Sequence, residues 1–168
     1  GPWSRPMLAH NPHIDHLLDC GRVGSGAYRL SDWLALTRRV RAGGYQVCLV
    51  LDRSPALALI PALAGVPQRV GLDSDGRGFS LTQRVPVQGV QHEVDLYLAC
   101  AEALGISTGG ARLQFFPTPA ASEKARALRG GGLPAVAVVH PAGGKNPGMS
   151  LSAKRWPAER FAALIRRI

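Results

Sequence analysis

The chain has 168 residues, of which 46% are hydrophobic and 18% are charged. This composition is typical of one folded domain, or of one domain with part of another, and it excludes an intrinsically disordered protein. No run of about 18 uncharged apolar residues is present, so the sequence contains no candidate for a membrane-spanning helix.

The formal net charge of +9 favours anionic partners, which include phosphorylated metabolites, nucleic acid and an acidic membrane surface. The basic residues are scattered along the chain and do not form one dense run. Aromatic residues make up only 6% of the chain, which leaves few rings on which bases could stack. We therefore rank nucleic acid below small phosphate-bearing ligands and expect no nucleic-acid partner.

The three cysteines, Cys20, Cys48 and Cys100, are an odd number at wide spacing. This pattern fits neither a disulfide framework nor a zinc site. Cys48 and Cys100 lie inside apolar runs, so we expect both to be small core residues. The sequence thus favours a reducing, cytoplasmic compartment, and we expect no metal and no cofactor.

The first elements alternate between strand and helix. Up to residue 72 the patterns predict a strand over 13–20, a helix over 31–44, a strand over 45–52, a helix over 54–65 and a strand over 68–72. The first of these helices has Ser31 as its candidate N-cap, and Trp33, Leu36 and Val40 on one face. The segment 45–52 is almost continuously apolar, which is typical of a strand buried on both faces.

The second helix has clear boundary signals. Ser54 is its candidate N-cap, Pro55 occupies the first helical position and Gly65 follows its last residue. Pro61 lies inside the pattern, so we expect either a kink or a break into two short turns at this point.

The remaining elements follow the same alternation. A glycine-rich loop over 73–83 leads to a short strand at 84–87, a helix over 92–105, a charged helix over 120–128 and a strand over 134–140. In the helix over 92–105, Val94, Leu98, Ala101 and Leu104 share one face. Strands and helices in this order indicate a mainly parallel α/β sheet.

The stretch "HPAGGKNPGMSLSAKRWPAERF", residues 140–161, joins the last predicted strand to a final amphipathic helix. Gly143 and Gly144 let the backbone approach a ligand closely, and Lys154 adds a positive charge just before the helix begins. The helix starts near Trp156 and its exposed N–H groups favour an anion. The other interpretation is a solvated loop whose lysine binds no ligand. Trp156 can equally be a packing residue.

The chain lacks an initiator methionine, and the apolar spacing of the final helix continues through Phe161, Leu164 and Ile165 to Ile168. No glycine or other stop signal follows. We therefore expect the sequence to be an internal fragment of a longer protein.

The segment "HPAGGKNPGMSLSAKRWPAERFAAL" resembles the start of the C-terminal domain of family 9 glycosyltransferases, the ADP-heptose:lipopolysaccharide heptosyltransferases and their relatives. The upstream segments "GGYQVCLVLDRSPALALIPALAGVPQRVGL", "RGFSLTQRVPV" and "HEVDLYLACAEALGI" resemble the later part of that family's N-terminal domain, in the same order. The pieces "NPGM…KRWP" and "H-x-V-D-x-Y-L" are the more specific ones.

The resemblance implies part of a GT-B enzyme, in which two Rossmann-like domains with parallel sheets face each other across a cleft. Residues 1–106 would then belong to the acceptor-side domain, 107–134 to an interdomain region and 135–168 to the start of the nucleotide-sugar-binding domain. Lys154 matches the family lysine that contacts the donor phosphate, and Gly143 and Gly144 would line the same pocket.

The same resemblance implies a parent enzyme that transfers heptose, or a related sugar, from an ADP-activated donor to a lipopolysaccharide core acceptor. It would act in the cytoplasm, with possible peripheral contact to the anionic inner face of the cytoplasmic membrane. The family's aspartate base precedes this chain, so the catalytic residue is unknown here and we expect the fragment alone to be inactive. A non-catalytic α/β module that binds phosphate or nucleic acid is the alternative.

Other acidic residues and histidines are poor substitutes for the absent base. Asp15 and Asp95 lie in stretches that match non-catalytic parts of the family, and Asp52 is more simply a cap at a strand end. We expect His92 and His140 to have structural roles.

Overall fold

The computed structural model describes residues 4–25, 28–129, 137–140, 145–146, 149–150, 152 and 155–167. Its helices are α1 (Arg5–Leu8), α2 (Leu30–Ala42), α3 (Pro55–Ala64), α4 (Glu93–Glu102), α5 (Pro119–Arg129) and α6 (Ala158–Ile165). Its strands are β1 (Val47–Val50), β2 (Gln68–Asp73), β3 (Gln83–Pro86), β4 (Lys145–Asn146) and β5 (Met149–Ser150). The chain divides into two compact units, Tyr28–Leu113 and the remainder.

The unit Tyr28–Leu113 is built on a parallel sheet with the strand order β1-β2-β3. In the register, Leu49 of β1 lies opposite Val70 of β2, and Leu72 of β2 lies opposite Val85 of β3. This confirms the predicted α/β class with a parallel sheet.

One face of the sheet is covered by α3, which packs against β1 and β2. Val50, Ala58 and Leu81 form the buried cluster on this side, with Cys48 packed against it. Gly71 is the β2 residue on this face, because it lies opposite Val50 in the register. A Cβ atom at Gly71 would lie 2.6 Å from the carbonyl oxygen of Val50. The close approach of the two strands therefore requires glycine at this position.

The opposite face is covered by α4, which packs against β2 and β3. The buried cluster here consists of Val70, Leu72, Leu96 and Cys100, all at most 3% exposed. The sequence placed Val94, Leu98, Ala101 and Leu104 on one face of this helix. Leu104 does pack against the cluster, but Val94, Leu98 and Ala101 are only half-buried, so that face is not the one at the centre of the core. The fully buried residues of α4 are instead Leu96 and Cys100, which lie four positions apart on one face of the helix.

Helix α2 packs on α3 through a buried aromatic side chain. Trp33 is 7% exposed, and its indole N–H donates a hydrogen bond of 2.9 Å to the carbonyl oxygen of Ala56. The predicted N-cap at Ser31 is wrong, because the helix begins one residue earlier, at Leu30. The Arg29 N–H donates instead to the carboxylate of Asp32, three residues on, as in a capping box.

Helix α3 begins and ends as the sequence predicts. Pro55 occupies its first position, and Gly65 terminates it in the left-handed region with φ of +85°. The helix passes through Pro61 without the predicted break into two turns. Pro61 is buried within the helix, although it cannot donate the backbone hydrogen bond that other residues make there.

Strand β1 is shorter and more exposed than the sequence predicts. Cys48 and Val50 face α3, but Val47, Leu49 and Leu51 are 44%, 39% and 42% exposed. Burial on both faces is therefore wrong for this strand as the structure describes it. The physical reason is that α4 lies over β2 and β3, and no described element covers β1 on that side.

The second unit contains the described residues before 28 and after 113. Residues 13–20 form an irregular segment and not the predicted strand. The segment starts with a turn, in which the Asn11 side chain accepts a hydrogen bond from the His13 N–H, and this local bond competes with strand pairing. Helix α5 agrees with the predicted charged helix, and the Thr118 hydroxyl accepts from the Ala121 N–H at its start.

Residues 137–140 are the described part of the predicted last strand, and they have no strand structure. Val138 is 89% exposed, and no described strand pairs with these residues. Beyond it, β4 and β5 form a short antiparallel pair. Within the described ranges, no helix combines the length and the apolar composition that crossing a bilayer requires.

Candidate functional site

The three residues that the sequence predicts as the donor phosphate site lie outside the described residues. These are Gly143, Gly144 and Lys154. The structure does describe the start of α6, which the same prediction assigns to the site. The geometry of that helix start is therefore the described part of the predicted site.

Helix α6 starts where the sequence predicts, with Pro157 as its N-cap. The Pro157 carbonyl accepts from the N–H groups of Arg160 and Phe161, so the first intrahelical bonds leave the earlier N–H groups of this turn directed toward the preceding loop. These N–H groups carry the positive end of the helix dipole. Glu159, in the first turn, is also favoured by that dipole.

Trp156 packs against the helix that it precedes. Its ring lies edge-on to Phe161, with ring centroids 5.0 Å apart and an interplanar angle of 81°. This geometry is favourable for an aromatic pair. The packing interpretation of Trp156 is therefore confirmed.

A shallow cleft of about 230 Å³ runs along α6. Trp156, Arg160, Ala163, Leu164 and Arg167 line it. Apolar side chains and two arginines therefore share this lining, and arginine is the residue type that binds anions through paired hydrogen bonds.

A second group of polar residues lies at the carboxyl edge of the parallel sheet, where ligands of open α/β sheets bind. Arg53, in the loop after β1, forms an ion pair with Glu93 at the start of α4. Their side chains are 41% and 54% exposed, so the pair is solvated and contributes little to stability. It does join the β1–α3 loop to the beginning of α4.

Tyr97 lies one turn after Glu93 and completes this group. Burial raises the pKa of Tyr97, and the hydrogen bond and negative charge of Glu93 raise it further. The phenol therefore stays protonated at physiological pH and remains a hydrogen-bond donor. Arg53, Glu93 and Tyr97 together present donors and acceptors of the kind that bind hydroxylated ligands.

Three of the residues set aside in the sequence analysis, Asp52, His92 and Asp95, have local structural roles here. The Asp52 carboxylate accepts from the Ser54 N–H at 2.7 Å, which confirms its role as a local cap. The His92 Nδ1 accepts from the Val94 N–H at 3.2 Å and caps α4. Asp95 lies exposed in the first turn of the same helix, where the dipole stabilises its charge.

Arg53, Glu93 and Tyr97 were not identified from the sequence. The signal was present, because Arg53 follows a strand and Glu93 follows a helix cap, and both positions lie at the carboxyl edge of a parallel sheet. Their pairing across 40 residues was not visible, since it depends on how α4 returns over β2. Among the described residues, no three His, Cys, Asp or Glu side chains group in a way that could hold a metal ion.

Comparison with known proteins identifies the family. Residues 33–168 match the sequence model of glycosyltransferase family 9 (heptosyltransferase). The chain belongs to glycosyltransferase family 9. It is also 27% identical over 173 residues to lipopolysaccharide heptosyltransferase 2 of Escherichia coli (strain K12). That alignment covers 99% of this chain and 49% of the relative, so the chain spans about half the length of the relative. No solved structure matches the chain significantly.

Proposed function

We propose that this chain is part of a glycosyltransferase that transfers heptose, or a related sugar, from an ADP-activated donor to a lipopolysaccharide core acceptor. The observation that carries the proposal is the family match over residues 33–168, which includes the parallel sheet and α6. The name of the relative, lipopolysaccharide heptosyltransferase 2, supports the sugar and the acceptor.

The proposed architecture is GT-B, with two Rossmann-like domains facing a cleft. Residues 1–106 form the later part of the acceptor-side domain, 107–134 connect the domains and 135–168 begin the nucleotide-sugar-binding domain. The parallel sheet of residues 47–86 supports this assignment for the first domain. In this arrangement the polar group of Arg53, Glu93 and Tyr97 faces the acceptor.

The proposed chemistry is displacement at the anomeric carbon of the donor sugar. A hydroxyl group of the acceptor attacks that carbon, the bond from the sugar to the diphosphate breaks, and ADP leaves with the bonding electrons. The proton of the hydroxyl passes to an aspartate that we expect outside this chain. The fragment alone is therefore expected to be inactive.

Lys154 supplies the electrostatic part of this mechanism. Negative charge grows on the diphosphate as the bond to the sugar breaks, so a fixed ammonium group stabilises the transition state more than the ground state. The N–H groups at the start of α6 add to this effect, and Gly143 and Gly144 allow the backbone to reach the phosphates. No metal ion is assigned to this role.

The proposed location is the cytoplasm, with peripheral contact to the inner face of the cytoplasmic membrane. The net charge of +9 supports it, because an anionic membrane surface attracts basic proteins. The acceptor, a lipopolysaccharide core, supports it as well.

Calorimetric titration with ADP and with a random-sequence DNA duplex tests the proposal against a non-catalytic nucleic-acid-binding module. A diphosphate site predicts saturable ADP binding with one molecule per chain, and only weak binding to DNA. A nucleic-acid module predicts the reverse, with DNA affinity that falls steeply as salt rises, because bound counterions are released. DNA binding of that kind without ADP binding would refute the proposed function.

A further inference from the structure

A cavity of about 300 Å³ lies at the amino edge of the parallel sheet. Its lining comes from residues 40–46, where α2 ends and β1 is about to begin, and from residues 64–67, where α3 ends before β2. Strand β1 has four residues, so at about 3.3 Å per residue it separates this cavity from the carboxyl edge of the sheet by about 13 Å. The cavity is therefore distinct from the polar group of Arg53, Glu93 and Tyr97.

The charged group of the cavity is the guanidinium of Arg41. It donates a hydrogen bond to the carbonyl oxygen of Leu63 in the last turn of α3, and this bond holds the side chain across the gap between α2 and α3. A guanidinium has five N–H donors in one plane, and a single bond to a carbonyl uses one of them. Because the Arg41 side chain is also exposed, its other donors can reach a ligand in the cavity.

The carbonyl groups at the ends of both helices already have partners. The N–H groups of Gly43 and Gly44 donate to carbonyl groups in the last turn of α2. The N–H groups of Gly65 and Val66 do the same for α3. The negative end of a helix dipole disfavours an anion, but its partial charge is smaller than the full charge of a guanidinium in hydrogen-bonding contact. The Arg41 guanidinium therefore decides the sign of the ligand.

The two chain segments that build this edge of the sheet contain arginines and no acidic residue. Residues 33–51 include no Asp or Glu, and neither do residues 54–72. The arginines of these segments are Arg38, Arg39, Arg41 and Arg69. Charges of one sign that line a cleft raise the local concentration of ligands of the opposite sign. This distribution favours an anionic ligand.

Arg69 lies directly behind the wall of the cavity. Its guanidinium donates to the carbonyl oxygen of Val66, a lining residue, at 2.6 Å and to that of Ser80 at 2.8 Å. These bonds fix the second positive charge beside the cavity. Val66 is consequently held by a cation from outside the cavity, while Arg41 lies on the inside.

The remaining lining residues suit a hydroxylated ligand. A Cβ atom at Gly43 would lie 2.3 Å from the Tyr45 ring, so this ring packs directly on the backbone at the end of α2. The Gln46 side-chain N–H donates to the carbonyl oxygen of Gly44 at 3.2 Å, which leaves the Gln46 side-chain oxygen as an acceptor. A phenol and an amide oxygen can bind hydroxyl groups, and Val40 adds an apolar contact.

We propose that this cavity binds a soluble sugar phosphate, with the phosphate on Arg41 and the sugar hydroxyls on Tyr45 and Gln46. Arginine suits a phosphate because its parallel N–H groups bind two oxygens at once. Ligand pockets range from about 300 to 1,000 Å³, so a cavity at the lower end suits a monosaccharide phosphate better than a nucleotide-activated sugar. The site is additional to the proposed donor site, and its existence does not depend on the proposed function.

Titration of glucose 6-phosphate into the ¹⁵N-labelled chain, followed by NMR at about 0.15 M salt, tests the proposal. The backbone amides of Gly44 and Gly65 line the cavity and should shift with saturation. Glucose should cause no shift, and inorganic phosphate should bind more weakly because it lacks the hydroxyl contacts. Arg41→Gln should raise the Kd for glucose 6-phosphate at least about tenfold, since it removes the charge that binds the phosphate.

Two further variants separate the cavity from general charge and from folding. Arg38→Gln removes the same charge from an exposed position of α2 that does not line the cavity, and should change the Kd by less than about twofold. Gln46→Glu leaves the bond of Arg41 to Leu63 in place and puts a carboxylate into the lining at an exposed residue. It should weaken binding at least about tenfold, even if Arg41→Gln fails to fold.

Three outcomes would overturn the proposal. The first is a folded chain in which Gly44 and Gly65 do not shift. The second is equal weakening by Arg38→Gln and Arg41→Gln, which would show attraction by net charge alone. The third is sedimentation with phosphatidylglycerol vesicles that depends on Arg41 while glucose 6-phosphate neither binds nor competes, which would assign the cavity to a lipid headgroup.

The donor site is tested separately in the same samples. Lys154→Ala should leave the shifts of Gly44 and Gly65 with glucose 6-phosphate unchanged, and Arg41→Gln should leave the Kd for ADP unchanged. Failure of this proposal is therefore distinguishable from failure of the proposed function.

Discussion

The most informative stability experiment on this fold compares two leucines of α4. Leu96 is 2% exposed and packs against Val70, Leu72 and Cys100, whereas Leu98 is half-buried on the neighbouring face. Replacing either by alanine removes the same three carbon atoms. The chemical change is therefore constant, and only the surroundings of the side chain differ.

The structure sets the expected magnitudes. Loss of three buried carbons from Leu96 costs about 2.4 kcal/mol at about 0.8 kcal/mol per carbon. The cavity adds to this, because hydrogen-bonded strands hold its walls in place, and the expected total is about 3–4 kcal/mol. Leu98→Ala loses a smaller buried area and leaves a space open to solvent, so its expected cost is below about 1.5 kcal/mol.

Urea unfolding followed by circular dichroism measures both free energies of unfolding, with the slope m checked for constancy. A larger cost for Leu98→Ala than for Leu96→Ala would refute the observed rotation of α4. Such a result would favour the face of α4 that the sequence predicts as its buried face.

Two further predictions concern the sheet and its alkaline stability. Gly71→Ala should destabilise the chain by about 1–3 kcal/mol, because the added Cβ atom would lie 2.6 Å from a carbonyl oxygen of β1. Gly109→Ala is the control: the nearest neighbour of its Cβ atom is 3.9 Å away, so it should change stability by less than about 0.5 kcal/mol. Similar costs for the two variants in urea unfolding would contradict the close strand packing. Burial raises the pKa of the Cys100 thiol above its ordinary value of 9.0, so the folded chain holds that proton to higher pH than the unfolded chain does. Stability should therefore fall as pH rises above about 9, and Cys100→Val should make this fall shallower; an unchanged pH profile would count against the burial of the thiol.

Apolar runs that are separated by turns containing glycine and proline were enough to predict the parallel α/β class. The start and end of α3 were also predictable, because Pro55 and Gly65 act through local backbone geometry. The face of α4 was not predictable, since several of its residues are apolar and the choice among them depends on where β2 lies. Local periodicity does not contain that information.

Strand β1 shows a different limit of prediction from sequence composition. Its composition predicts burial on both faces, and the structure covers only the face toward α3.

The candidate site also contains features that the sequence could predict and features that it could not. His92 and Asp52 were interpretable because helix and strand caps have short-range signatures. The ion pair of Arg53 with Glu93 depends on long-range topology and was missed. The assignment of Lys154 came from family resemblance, and its position lies outside the described residues, so it remains a prediction.

The central claim is that Lys154 and the N-terminal end of α6 bind the diphosphate of an activated sugar. Isothermal titration of ADP into the chain, into Lys154→Ala and into Lys124→Ala tests it most directly, because Lys124 is an exposed lysine on α5 and serves as the matched control. Loss of one charge-assisted contact predicts a Kd about 10- to 100-fold weaker for Lys154→Ala and an unchanged Kd for Lys124→Ala. Equal affinity of all three proteins for ADP would contradict the claim.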